Sequence, residues 1–198
     1  MAGDRLREST FKKCDLHVHS SSCYSRSYSK SNFLKALLDS DLDVVAITDH
    51  NSIDVPLLLE LSQELKDVNK AMFAGVELNI AIGQTTIETY GLTVVGKYFH
   101  ALVICDLEDA CSLSDAVDGL FSKDDDDLKC ALEELSEGSI TRKQYSEKTQ
   151  GRFIFLEDLQ RSIGHIKHYL IPHEKEARGT YLIICPAKIG RQLRREKR

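Results

Sequence analysis

The stretch Cys14-Asp15-Leu16-His17-Val18-His19-Ser20 (residues 14–20) opens an alternation of short apolar runs and longer amphipathic segments that decides the fold. Period two in an extended chain points His17 and His19 to one side, at the carboxyl end of a first strand, Cys14–His19. A Ser-rich loop, 20–31, leads to a helix over Asn32–Asp39, where Phe33, Leu34, Leu37 and Leu38 share a face. Val44–Thr48 reads as the second strand. The next helix starts near Asp54, an N-cap candidate, tolerates Pro56 in its first turn and carries Leu58, Leu61 and Leu65 as a stripe. Ala71–Ile80, Phe99–Cys105 and His168–Pro172 read as further strands, and Thr85–Val95 as an inserted hairpin. Helices are expected near Leu107–Leu120, Leu128–Leu135 and Ile154–Ile163. Between the last two, Ser136–Gly151 has only Ile140 and Tyr145 as large apolar residues and reads as a flexible loop or internal boundary. Such alternation implies parallel strands with crossover helices, an α/β sheet or barrel whose chemistry sits at the carboxyl ends of the strands.

At 198 residues the chain holds one main core, expected over 1–187, with a basic tail over 188–198. Hydrophobic residues at 42% and charged residues at 29% exclude a disordered, fibrous or disulfide-scaffold chain. No apolar run is long enough to span a membrane, and the polar start MAGDRLREST offers no secretory signal, so a cytoplasmic location is expected, with no membrane partner. The tail carries six basic side chains against Glu196, so it is +5 and the rest of a chain of net charge −5 is −10. An acidic body does not attract nucleic acid by its general field. The six cysteines (Cys14, Cys23, Cys105, Cys111, Cys130, Cys185) form no CxxC pair and read as buried or idle thiols. The run Asp124–Asp127 lacks the alternating ligands and central Gly of a calcium loop and reads as a solvated acidic turn.

Candidate chemistry gathers at the ends of the apolar runs. Thr48-Asp49-His50 closes the second, adding a carboxylate and an imidazole to His17 and His19. Glu77 lies inside AMFAGVELNI, where a carboxylate is costly to bury unless paired or bound to a metal. His100 opens the run HALVIC, and His173 ends YLIPH. Each of these five histidines sits at an apolar-to-polar boundary, which together with Asp49 and Glu77 points to a metal cluster. His165 and His168, in an amphipathic context, read as structural or surface residues.

DLHVHS, AITDHNS, GVEL, a His opening the next run and IPH, in that order over residues 15–173, resemble the PHP (polymerase and histidinol phosphatase) family. The resemblance implies a distorted (β/α)7 barrel of TIM-like type with two or three divalent ions, and hydrolysis of phosphate esters by water activated at those ions. Carried onto this chain, His17 and His19 bind one metal, Glu77 bridges, and His50, His100 and His173 serve the others. Asp49, which ligates or orients a ligating ring, acts with His50 and Glu77 in the catalytic step. Mixed nitrogen and oxygen ligands suit zinc, manganese or iron, with two ions expected. The implied substrate is a phosphorylated small molecule or a nucleic-acid end, with Arg26, Lys30 and Arg178 as candidate phosphate contacts. LIPHEKEARG resembles PHP domains that accompany large ATPases, which implies an ATPase protein partner.

Two departures stand against the family pattern. Tyr24 and Ser25 occupy positions where the family usually has another His or Asp, and residues 174–198 hold no Asp and no His where it has an Asp-x-His motif. A reduced site, a barrel incomplete at its carboxyl end, or completion by a partner is therefore expected. Three functions follow: a metal-dependent phosphoesterase, a non-catalytic metal-binding or interaction module completed by a partner, and a metal-dependent amidohydrolase. The TDH motif after the second strand favours the PHP reading over the last.

Overall fold

The structure, a computed structural model, describes residues 12–81 and 98–172. Its elements are β1 (Cys14–Val18), α1 (Lys30–Asp39), β2 (Val44–His50), α2 (Val55–Asp67), β3 (Ala71–Ala81), β4 (Tyr98–Cys105), a 3-10 turn at Leu107–Asp109, α3 (Ala110–Ser122), α4 (Asp126–Ser136), α5 (Arg142–Lys148), β5 (Ile154–Phe155), α6 (Leu156–Ile163) and β6 (His168–Pro172). Short polar side chains start α1, α2, α4 and α5 by taking otherwise unpaired backbone N–H groups. Ser29 accepts from Asn32 N, and Asp54 from Leu57 N with Pro56 in the first turn of α2. The acidic run proves to be a helix start: Asp125 accepts from Leu128 N, and Asp126 and Asp127 lie in the first turn of α4, where their charge suits the helix dipole.

The strands form one mixed sheet in the order β1-β2-β3-β4-β6, with β5 paired to β3. β1, β2 and β3 run parallel, but β4 is antiparallel to both β3 and β6. The all-parallel expectation is thus corrected. Adjacent strands need a crossover helix only when they run the same way, and β4 runs back along β3. Among the described residues the sheet is open, with β1 and β6 as its edges, so they do not form the expected seven-stranded barrel. The short β5 occupies the lane beside Ile80 and Ala81 that β2 leaves free after pairing His50 with Glu77.

The two faces of the sheet differ. One carries Val45, Ile47, Val76, Leu78 and Val103 into the main core against Leu58, Leu61 and Leu65 of α2, Leu113 and Val117 of α3, and Leu159 of α6. The residues between them, Ala46 and Leu102, join Ile104, Leu16, Phe73 and Ile171 in a smaller cluster on the opposite face. A register shift in β1 sets Asp15 opposite Val45 but Val18 opposite Ile47, so both Leu16 and His17 lie against the Ala46 position. That bulge keeps His17 on the face of the smaller cluster.

The stretch 136–151, expected as a loop, instead holds α5 and is tied to the body. Thr141 and Gln144 form a capping box, Tyr145, Ser146 and Thr149 are buried, and Arg142 pairs with the buried Asp118 at 2.6 Å. Isolated Ile154 and Phe155, expected to open a helix, form β5 before α6 begins. The expected hairpin 85–95, the basic tail, Cys185, Arg178 and His173 lie outside the described residues. Among the described residues no helix is long and apolar enough to cross a membrane.

Gly75 lies two residues before Glu77 on the same face and is paired with Thr48 and Ile104. A Cβ there would stand 2.7 Å from the Val103 carbonyl oxygen and 2.8 Å from Thr48 Cγ2, and the first is backbone that cannot swing away. Gly75→Ala is expected to destabilise the protein by about 1–3 kcal/mol, read as a lower urea midpoint. An unchanged midpoint would show that the three strands do not close on this position.

Candidate metal centre

Four imidazoles converge on one carboxylate. His17 Nε2 lies 2.9 Å, His19 Nε2 3.3 Å and His50 Nδ1 3.2 Å from Glu77 Oε2, while His100 Nδ1 lies 3.0 Å from Oε1. The sheet register explains the convergence. His50 and Glu77 are direct partners across β2 and β3, and His100 stands diagonally across β4, whose Leu102 faces Glu77. Because β4 is antiparallel, its first residues lie beside the last residues of β3, which brings His100 to the carboxyl ends of β1–β3. The His19 and His50 rings stack at 4.5 Å, and the His17 ring meets His19 edge-on at 4.9 Å. Side-chain exposure rises from 7% at His19 through 24% and 27% at His50 and His17 to 38% at His100, so the group is closed on one side and open on the other.

Burial works against the charge of Glu77, yet the His17 hydrogen bond and the facing His50, His17 and His19 rings outweigh it and hold this carboxyl below the usual range. It is ionised. Burial first, then the neighbouring His50 ring, pushes His19 down to about 4, and burial likewise lowers His50. A ring without its second proton has a lone pair to offer a metal ion, and the lowering of both favours that form. Imidazole nitrogens around an ionised, buried carboxylate could hold a metal ion. Two groups have donor atoms all within 4.8 Å of one another: His17, His19 and Glu77, and His19, Cys23 and His50.

Asp49 does not join the carboxylate cluster. As the neighbour of His50 on a strand it points to the other face, where its carboxylate accepts from Ser20 N and Ser20 Oγ, both at 2.5 Å. Burial raises its pKa to about 6 against these bonds. The loop that follows His19 is held at further points: Ser22 Oγ donates to Asp54 Oδ2 at 2.5 Å, and the Tyr28 hydroxyl donates to the His19 carbonyl. The end of β2 is anchored from α5 and the residue after it. Ser146 Oγ donates to the His50 carbonyl at 2.6 Å, and Asn51, in the left-handed region at φ 55°, donates through Nδ2 to the Thr149 carbonyl.

The structure therefore brings together His17, His19, His50, Glu77 and His100, places Asp49 as a loop anchor, and leaves His173 outside the described residues. Lys30 is paired with Glu60 at 2.8 Å, whereas the charge of Arg26 is felt by His19, His50 and Asp49. Two contributors escaped the sequence reading. Cys23 is fully buried with Sγ 3.7 Å from His19 Nδ1, and the Tyr24 ring lies 5.3 Å from the His50 ring. The His19-x-x-x-Cys23 spacing is the signal that could have revealed the first.

No family model matches the chain, and no curated protein matches it. Among solved structures it is similar to an amidohydrolase from Chromobacterium violaceum with bound sulfate and no metal. The TM-score is 0.42 and the sequence identity 12%, over 80% of this chain and 65% of the other. The chain thus spans just under two thirds of that protein, and a likeness of this size assigns neither a family nor a chemistry.

Asp49→Ala removes both acceptors of Ser20 and frees the backbone that carries His19. Zinc affinity is expected to fall about 10–100-fold, the usual cost of losing a group that orients a ligand, with far-ultraviolet circular dichroism unchanged. Competition with a chromophoric chelator measures it, and wild-type affinity in this variant would remove Asp49 from any positioning role.

Proposed function

We propose that the cluster around Glu77 is a metal centre that hydrolyses phosphate esters, the activity that the resemblance to the PHP family implies. The observation that carries the reading is the convergence of four imidazoles, from three separate places in the chain, on both oxygens of one buried carboxylate. His17, His19 and Glu77 would hold one ion, and His50 and His100 would serve others. Divalent ions bound there supply an activated water and neutralise charge developing on a phosphoryl group.

The chain's own residues do the rest. Glu77, ionised and fixed between β2 and β4, offers one oxygen to three rings and the other to His100. Ser20 and Asp49 keep the His19 backbone in place on the far face. Arg26, exposed and electrostatically felt at the cluster, is suited to bind a substrate phosphate. The open side, at His17 and His100, admits the substrate, and the apolar residues Leu16, Phe73 and Leu102 line the same face further along the strands.

The test uses the full chain loaded with manganese or zinc and offered p-nitrophenyl phosphate, bis-p-nitrophenyl phosphate and, as a control, an amide substrate. Phosphate-ester hydrolysis is expected, lowered more than ~100-fold in the His17→Ala/His19→Ala double variant, since losing ligands costs more than losing the groups that orient them. Turnover of the amide alone would make the protein an amidohydrolase instead, and metal binding without any turnover would make it a binding module.

A further inference from the structure

The loop after β1 folds back as a turn in which Cys23 N donates to the Ser20 carbonyl at 3.2 Å and Arg26 N donates to the Cys23 carbonyl at 3.1 Å. With its backbone so held, Cys23 turns its side chain inward, and the residue has no exposed surface. Its sulfur meets His19 Nδ1 at 3.7 Å and Ser25 Oγ at 3.2 Å. His19 presents its other ring nitrogen, Nε2, to Glu77, so the two edges of one ring look toward two different sets of donors. On the Cys23 side the set is complete enough to hold an ion, since one donor atom each from His19, Cys23 and His50 lies within 4.8 Å of the others. Cys14, Cys111 and Cys130 are exposed, and Cys105 is buried in the main core, so among the described residues Cys23 alone joins a histidine pair.

We propose that His19, Cys23 and His50 form a second metal subsite with the Cys23 thiolate as a ligand, beside the His17–His19–Glu77 group with which it shares His19. The proposal rests on the metal-centre reading but not on the phosphoesterase activity. Binding expels the thiol proton to solvent, and the sulfur–metal bond takes its place; with both groups filled, the His19 ring gives up its N–H proton to solvent too and binds through both nitrogens. A thiolate shifts the preference of the site toward zinc and away from manganese, because a soft ligand suits the softer ion. The subsite lies on the closed side of the cluster, next to the least exposed imidazole, where a permanently held ion is shielded from exchange.

X-ray absorption at the zinc edge of the zinc-loaded full chain is the direct test, since it needs no variant to fold. A sulfur neighbour at about 2.3 Å beside nitrogen and oxygen at about 2.0–2.1 Å is expected. Loaded with cobalt, the same protein is expected to show a near-ultraviolet sulfur-to-cobalt charge-transfer band, lost in Cys23→Ser and kept in Cys111→Ser. A zinc spectrum with nitrogen and oxygen only, or a sulfur neighbour that survives in Cys23→Ser, overturns the thiolate subsite while leaving the metal centre standing; Cys23 is then only a hydrogen-bond partner of His19. A protein that takes up no zinc overturns both.

Discussion

A carboxylate buried at the centre of a sheet governs this structure. Glu77 has lost most of its hydration, and a buried ion left without partners costs about 3–5 kcal/mol when its partners are removed. Its two oxygens are answered by four imidazoles. Two irregularities of the sheet make this possible. The bulge in β1 places His17 on the Glu77 face while Val18 still packs into the main core. The reversal of β4 carries its amino end to the carboxyl end of β3, so His100 reaches a site that a parallel strand would have held at the far edge.

The same end of the sheet is secured from its other face. Alternation along β2 sends His50 toward Glu77 and Asp49 away from it, toward Ser20. Two carboxylates close together thus do different work because their surroundings differ. Glu77, facing imidazoles, is held ionised; Asp49, buried with one serine to bind it, is pushed up to about 6 and serves as an anchor for the loop behind His19. The anchoring reaches far along the chain. Ser146 bonds the His50 carbonyl across a separation of 96 residues, so the docking of α5 and the position of the His50 ring are one mechanical unit.

Local pattern was enough to find the strand–helix order and most of the cluster, and it failed where non-local pairing decides. The apolar-to-polar boundary picked out His100, yet the rule that sites lie at carboxyl ends of strands accounts for it only once β4 is known to run backwards, and strand direction is a property of pairing rather than of HALVIC itself. Residues 136–151 read as a loop because Ile140 and Tyr145 are their only large apolar side chains; they are fixed by the burial of Tyr145 and by polar pairs, Arg142 with Asp118 and Ser146 with the His50 carbonyl, whose partners are remote in sequence. Asp49 is a different case. Neighbouring residues on a strand point to opposite faces, so Asp49 and His50 were never able to enter the same site side by side, and TDH contained that fact. Cys23 was hidden for the opposite reason: there is no second cysteine at metal-ligand spacing, and although His19 lies four residues away, His50 is joined to it only through the fold.

The gradient of exposure across the cluster gives the arrangement a direction. His19 is nearly sealed, pressed between the His50 ring, Cys23 and the loop held by Asp49 and Tyr28, while His100 and His17 stand at the solvent edge. Sites that hold metal for structure are closed, and sites that use it for chemistry keep a position open. Here both conditions meet within one group of rings about a single carboxylate. An ion on the His19 side would be held by donors that water reaches poorly, and one on the His100 side would keep room for a ligand from outside. The carboxylate joins the two halves, since Oε2 faces the sealed His19 together with His17 and His50, while Oε1 faces the exposed His100. Any molecule bound at the open edge would therefore act on the closed half through Glu77, without entering it.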